Sequence, residues 1–250
     1  MTVLLTNDDG VESPGLAALR SVLGQKHDVW VVAPDGERSA MSHYITVRDP
    51  IRLRKVGEQT YASSGSPADC TIVGMNGGIP VTPDVVVSGI NIGPNLGTDI
   101  IFSGTVAAAR QASFLEVPGI AVSINTYTPP FHLQPVSEFL ALHLAEFCRL
   151  WNPRHFININ APNLDVAELP VRLTFPSWRL YRDHLERFDS PRGDSYFFLN
   201  GDPVETGMEE GSDWHAVSEG AISVTPIYAN AIDHHEDEEY HSAHFLKSGV

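Results

Sequence analysis

The sequence predicts an α/β fold on a mostly parallel sheet, followed by antiparallel ribbons toward the C-terminus. Three features carry this expectation. Short, largely apolar runs at 3–5, 28–33, 84–88 and 119–124 have the length and character of buried parallel strands. Helical patterns lie between them, so that strand, helix and strand follow one another within the first 33 residues as a βαβ unit. From about residue 161 the pattern changes to hairpin-like runs, 179–182 and 195–199, around the turn residues Ser190-Pro191-Arg192-Gly193.

Taken in order, the run at 3–5 leads directly into Thr6-Asn7-Asp8-Asp9-Gly10. Two adjacent carboxylates at a strand exit sit where open α/β sheets place their ligands, and Gly10 lets the chain bend there. Residues 14–23 place Leu16, Leu19, Val22 and Leu23 at helical spacing, with Ser13 as N-cap and Gly24 as stop. Neither a Gly-x-Gly-x-x-Gly pattern after the first strand nor a Walker A pattern occurs, which argues against a dinucleotide site. The loop 34–43 is polar and turn-rich, with Ser39, Ser42 and His43 as candidate functional side chains. Residues 45–53 alternate with Arg48, Asp49 and Arg52 and predict a partly exposed strand or hairpin.

A helix is expected to open at Ser63-Ser64-Gly65-Ser66-Pro67-Ala68-Asp69, with Pro67 in its first turn. Such a serine-rich entry suits helix capping and also an anion. After the run at 84–88 comes a stretch, 89–99, holding three glycines, two asparagines and a proline. It predicts a long, shaped, non-helical loop of functional importance, because Ile90, Ile92 and Leu96 are too apolar and evenly placed for disorder. Ser103-Gly104-Thr105 then caps an alanine-rich helix, whose free amides and two hydroxyls form a phosphate cradle.

Further along, 135–151 is an amphipathic helix with Val136, Phe139, Leu140, Leu144, Phe147 and Cys148 on its apolar side, and 156–159 is a short strand. His143 reads as a packing or surface histidine. The ribbons beyond residue 161 are poorly stable alone, which points to packing on another subunit. The acidic stretch 205–213 predicts a surface loop, 221–227 a strand, and the His- and acid-rich 233–241 a solvated terminus with ligands too crowded for one coordination sphere.

Sixteen basic against 31 acidic residues give a net charge of −15, which argues against a nucleic-acid polymer as partner. A small anionic substrate remains compatible, because a divalent cation held by carboxylates reverses the local sign. An acidic chain that handles phosphate is therefore expected to need a metal. No apolar run is long enough to span a membrane, and the N-terminus lacks a signal-peptide pattern, so a cytoplasmic protein is expected. Cys70 and Cys148 lack metal-ligand spacing and read as free thiols.

Taken together, Thr6-Asn7-Asp8-Asp9-Gly10, Ala33-Pro34, Arg38-Ser39, Ser42-His43, Ser64-Gly65-Ser66-Pro67-Ala68-Asp69-Cys70, Ser88-Gly89-Ile90-Asn91, Gly93, Asn95-Leu96-Gly97 and Ser103-Gly104-Thr105-Val106 resemble the SurE family. These are metal-dependent 5′/3′-nucleotidases, also called survival proteins. The match runs in order through roughly the first 125 residues and returns at Pro191-Arg192-Gly193, Tyr196, Gly201 and Ser223-Val224-Thr225-Pro226. The family commonly has glycine where Ala40 stands, serine where Tyr44 stands, and Glu-Gly where Gln111-Ala112 stand.

The resemblance implies a Rossmann-like, doubly wound catalytic core over 1–160. It implies a C-terminal region, 161–250, that makes homodimer or homotetramer contacts through hairpins and extended segments. It also implies that Asp8, Asp9, Ser39 and Asn95 hold one divalent metal per subunit. The oxygen ligands favour Mg²⁺ or Mn²⁺ over a thiolate-type zinc site. Asn91, Ser103, Gly104 and Thr105 would contact the phosphate, and Ser42, His43, Ser64, Gly65 and Asp69 are candidates for the substrate rim. The expected reaction is hydrolysis of a nucleoside 5′- or 3′-monophosphate, with Asp8 and Asp9 as the catalytic carboxylates and no membrane partner. Two alternatives are a covalent aspartyl-phosphate phosphatase, disfavoured because Lys26, Lys55 and Lys247 lie at no strand exit, and a non-catalytic nucleotide sensor on the same fold.

Overall fold

The computed structural model describes residues 1–204 and 208–230. In chain order the elements are β1 (Thr2–Thr6), α1 (Pro14–Leu23), β2 (Asp28–Pro34), β3 (Leu53–Gly57), β4 (Thr60–Ser63), α2 (Pro67–Met75), β5 (Val85–Ile92), a 3₁₀ turn (Gly97–Ile101), α3 (Gly104–Phe114), β6 (Gly119–Asn125), α4 (Gln134–Leu150), β7 (His155–Pro162), β8 (Val171–Leu173), β9 (Leu180–Asp189), β10 (Ser195–Val204), α5 (Asp213–Ser218) and β11 (Ile222–Tyr228). A nine-stranded sheet has the order β3-β4-β2-β1-β5-β6-β7-β11-β8. Its centre, from β4 through β7, is parallel, while β3 and β11 run antiparallel to β4 and β7.

The alternation of side chains along β1 explains why helices cover both faces. Val3 and Leu5 pack with Leu16, Leu19 and Leu23 of α1 and with Leu140 and Leu144 of α4. Leu4 points the other way, into a cluster with Cys70 of α2 and Ala112 of α3. Each of these Val and Leu side chains, once fully buried, contributes about 1.5–3 kcal/mol. The result is a doubly wound sheet. From β1 the chain steps to β2 on one side, and β5 enters on the other. The strand order therefore reverses between β1 and β5, and the crevice for a ligand opens beyond their carboxyl ends.

Local signals set the helices as the sequence indicates. Ser13 Oγ accepts the Leu16 N–H at 3.2 Å, and Gly24 closes α1 with its N–H on the Arg20 carbonyl at 3.0 Å. Ser66 and Asp69 form a reciprocal capping box at the start of α2. Cys70 and Cys148 are free thiols, and burial pushes them up to about 12 and about 11.

Several expectations are corrected. Residues 45–52 form no strand; β3 begins only at Leu53. The reason is that polar groups there serve the α2 cap instead of a ladder. The Thr46 N–H and hydroxyl donate to Asp69 at 3.0 and 2.6 Å, and the Tyr44 carbonyl accepts from Ser66 Oγ at 2.6 Å. Residues 89–92 belong to β5, with a register shift against β6 between Ser88 and Asn91, so the loop is shorter than expected and ends in the 3₁₀ turn. In the acidic stretch, 205–207 lie outside the described residues, while Ser212 and Asp213 are fully buried at the start of α5. The expected solvated terminus at 233–241 also lies outside the described residues.

Position 160 falls inside β7, and β8 and β11 complete the same sheet as the N-terminal strands. The β9–β10 hairpin stands apart as a two-stranded sheet. β9 is exposed along its whole length, and Leu185, Phe188, Phe198 and Leu199 are all more than half exposed.

Candidate active site

The site begins with Asn7. Its side-chain amide donates to the Gly10 carbonyl at 2.9 Å and to Ser13 Oγ at 2.7 Å, while its oxygen accepts the Gly10 N–H at 3.2 Å. One buried amide thus closes the turn after β1 and ties it to the cap of α1. The turn presents Asp8 and Asp9 at the crevice. Asp8 is only 4% exposed. The Thr105 hydroxyl donates to its Oδ1 at 2.5 Å and the Thr105 N–H to its Oδ2 at 3.3 Å. The positive end of α3 therefore grips this carboxylate. Gly104 permits the approach, because a Cβ there would lie 3.1 Å from Asp8 Cβ and 3.0 Å from Pro67 Cγ.

Even with those donors, burial pushes the Asp8 carboxyl above its usual range. Asp9 is partly buried and rises to about 6, chiefly by burial and then by the neighbouring charge of Asp8. Among the described residues neither carboxylate is ion-paired to a lysine or arginine.

Asn95 is held from three sides. Its N–H donates to Asn160 Oδ1 at 2.8 Å, and its carbonyl accepts from Asn160 Nδ2 at 3.0 Å and Asn158 Nδ2 at 2.8 Å. Its own side-chain amide donates to Ser123 Oγ at 2.8 Å. With that nitrogen committed, Oδ1 is left as the free acceptor. Asn158 and Asn160 share one face of β7, and Ser123 pairs with Asn160 in register. The loop is tied again two residues on, where the Gly97 N–H donates to the fully buried Asp213 at 2.7 Å.

Asp8, Ser39, Asn91, Asn95 and Ser103 line one cavity of about 640 Å³. Ser39 Oγ donates to Glu37 Oε1 at 3.0 Å, which leaves its lone pairs available, and Ser103 caps α3 by accepting the Val106 N–H at 3.1 Å. Asn91 donates one amide hydrogen to the Gly93 carbonyl at 2.8 Å. Asp9 opens on the other side of Ile92, into a second cavity of about 660 Å³ that also includes Gly10, Asp35 and Arg54. Ile92 lines both cavities, and its N–H lies 3.4 Å from Asp9 Oδ2.

Comparison with known proteins identifies the family. Residues 3–183 match the family model described as survival protein SurE. The chain is a member of the SurE family. The 5′-nucleotidase SurE of Kosmotoga olearia is 43% identical over 235 residues, covering 92% of both chains. That of Pseudothermotoga lettingae is 44% identical over 232 residues, covering 91% of this chain and 88% of the relative. The crystal structure of SurE protein from Aquifex aeolicus superposes with a TM-score of 0.84 at 32% identity, over 99% of this chain and 100% of that one.

Within this SurE chain, other residues picked from the sequence lie elsewhere. Thr105 is fully buried with its hydroxyl and N–H on Asp8, so it orients a carboxylate instead of offering a free phosphate donor. Ser42 donates to the Ile101 carbonyl at 2.7 Å, and His43 Nε2 meets Gln111 Oε1 at 2.8 Å while its ring stacks on Phe114. Burial lowers the His43 pKa. Ser64 Oγ accepts the Arg52 N–H, the Gly65 N–H donates to Ser63, and Asp69 serves the α2 cap. Of these rim candidates, none lines the cavity.

In their place the cavity takes a wall that the sequence did not reveal: Tyr127 after β6, Asp99 on the 3₁₀ turn, and Arg179, Leu180, Tyr181 and Leu199 at and beside the hairpin. Arg179 forms an ion pair with Asp99, and the Tyr181 hydroxyl donates to Asp99 Oδ1 at 2.6 Å. The lone local signal was an aromatic and an arginine in a ribbon, which any exposed hairpin shows.

Proposed function

We propose that this chain is a divalent-metal-dependent phosphomonoesterase that hydrolyses nucleoside 5′- or 3′-monophosphates to nucleoside and phosphate. The names of its relatives support the substrate class. The observation that carries the metal requirement is the charge lining the cavity. Among the described residues it has three carboxylates, Asp8, Asp99 and Asp183, against one cation, Arg179, which is already paired with Asp99. A phosphate dianion would meet net repulsion there unless a cation came with it.

The donor set suits such an ion. Asp8, Asn95 Oδ1 and Ser39 Oγ bring hard oxygen donors to this cavity, and Asp9, next to Asp8 and opening into the adjoining one, would add a fourth, a set that favours Mg²⁺ or Mn²⁺. A bound divalent ion supplies positive charge that polarises the phosphoryl oxygens. The chain's own residues do the rest. Asp8 is fixed in orientation by Thr105. Asn95 is aimed by its clamp. Ser103 and the first turn of α3 place a hydroxyl and a positive helix end beside the transferred group, where charge accumulates on the equatorial oxygens. A covalent aspartyl-phosphate route is not favoured: no lysine lines the cavity among the described residues.

The exposed apolar side chains of the hairpin support a homo-oligomer, which light scattering of the purified chain would read directly. Among the described residues no helix is long and apolar enough to cross a membrane. The decisive assay is p-nitrophenyl phosphate hydrolysis with EDTA and with added Mn²⁺. Activity should require the ion, and Asp8→Asn should lower it by roughly a thousandfold while circular dichroism is retained. Phosphate release that ignores EDTA, or full activity in Asp8→Asn, would overturn the assignment. No release under any divalent ion would favour a sensor.

A further inference from the structure

We propose that Tyr127 and Tyr181, braced by Asp99 and Arg179, form the seat for the nucleoside and so determine specificity for nucleotides over simpler phosphomonoesters. This rests on the nucleotidase reading above and adds the part of the site that holds the non-reacting end of the substrate.

The cavity has two chemically different linings. The sheet-exit loops supply oxygen donors. The other lining is flat and amphipathic. Tyr127 is 74% exposed although its ring packs directly on Gly93: a Cβ at that glycine would fall 2.4 Å from Tyr127 Cε1. The glycine, at φ +113°, therefore gives the ring its resting place. An aromatic ring seated on backbone at a cavity wall, with most of its surface uncovered, offers a stacking platform.

Beside it, Asp99 gathers Arg179 and Tyr181 into one unit. The Arg179 guanidinium lies 4.9 Å over the Trp214 ring and 5.7 Å over the Tyr181 ring. With its charge spent on Asp99 and its plane between two rings, Arg179 is a poor ligand for free phosphate and a good stiffener of a π surface. Tyr127, Asp99, Arg179 and Tyr181 line the same cavity, so the four side chains make one wall. A ligand that matches it must carry a flat ring and hydroxyl groups as well as a phosphate. A nucleoside monophosphate carries all three.

The wall is also placed to act through binding. Its members come from the 3₁₀ turn, the loop after β6 and the hairpin, and none of them belongs to the Asp8–Asn95 set. Loss of a stacking partner costs roughly 1–3 kcal/mol per base, which is about a five- to hundredfold change in affinity.

The test compares AMP with β-glycerol phosphate, which keeps the phosphate and hydroxyls but has no ring, on the full chain with saturating Mn²⁺. Because Tyr127 is exposed, Tyr127→Leu removes the ring without opening the core. It should lower the kcat/KM ratio of AMP to β-glycerol phosphate about tenfold, with the loss in KM and not in kcat. Tyr181→Phe keeps the ring but removes its hydrogen bond to Asp99, which stays paired with Arg179, and should move the same ratio less. Equilibrium binding of adenosine alone should weaken in step with Tyr127→Leu. An unchanged ratio, or equal loss on both substrates, would overturn the proposal and leave the nucleotidase reading standing. Wild-type protein inert toward both substrates would instead sink the nucleotidase reading, and this one with it.

Discussion

Asn95 and Tyr181 line the same cavity, yet the two are held on opposite terms. Around Asn95 both backbone polar groups and the side-chain amide nitrogen are spoken for by Ser123, Asn158 and Asn160, all fully buried. Tyr181 sits on an exposed hairpin that pairs only with itself and reaches the body through Asp99. On the reading proposed above, the difference separates two tasks. Chemistry needs donors fixed to a fraction of an ångström, which buried and mutually satisfied amides provide. The nucleoside seat proposed above needs no such burial, because Asp99 and Arg179 brace it from outside the sheet, and a hairpin can vary without disturbing the sheet.

The contrast can be broken most severely at the clamp. Asn160→Ala leaves the Asn95 peptide without its paired donor and acceptor. We expect Mn²⁺ affinity by calorimetry to fall roughly ten- to a hundredfold, as for other groups that orient metal ligands. Stability should fall by about 1–3 kcal/mol. Lower stability with Mn²⁺ affinity intact would show that the clamp serves the fold and not the site.

A second test sharpens the electrostatic side. The Asp9 carboxyl lies at about 6 in the metal-free fold against an ordinary 3.8, so between those values the folded chain binds more protons than the unfolded one. Its contribution to stability therefore falls as pH rises through that window. EDTA-treated protein should melt at a lower temperature at pH 7 than at pH 5. Mn²⁺ should reverse the loss at pH 7, and Asp9→Asn should flatten the dependence. A melting temperature indifferent to Mn²⁺ at pH 7 would contradict the reading.

The smallest effect concerns Ala40, which lines the cavity at φ +56°. A left-handed alanine costs roughly 1–2 kcal/mol, part of which glycine returns through its greater freedom when unfolded. Ala40→Gly should stabilise the chain by roughly 0.5–1 kcal/mol in urea titration, and destabilisation would mean that the methyl group packs.

Much of this was readable in advance where the signal is local. Ser13 and Gly24 delimit α1, Ser103 opens α3, and the apolar runs became strands because their neighbours bury both faces. The acidic pair at the exit of β1 was legible because strand exits and adjacent carboxylates are both visible in a short window. Asp213 was misplaced in a surface loop because acidic neighbours suggest solvent, whereas its partners are the amides of Gly97 and Ser177. Asn158 and Asn160 passed as ordinary strand residues, since nothing in their own segment shows that they face Asn95. Residues 45–52 alternate as a strand would, but the distant Asp69 claims the N–H and hydroxyl of Thr46, and Ser66 the carbonyl of Tyr44 just before them. Each miss is a hydrogen bond between residues far apart in sequence, and no local window contains both ends.

The bond from Gly97 to Asp213 spans 116 positions. A chain emerging from the ribosome can form β1, α1 and β2 early, but it cannot fasten that loop until Asp213 has also been synthesised. Chains cut short before Asp213 would thus carry the acidic turn without the tether that completes it, and only those that extend past α5 would own a finished pocket.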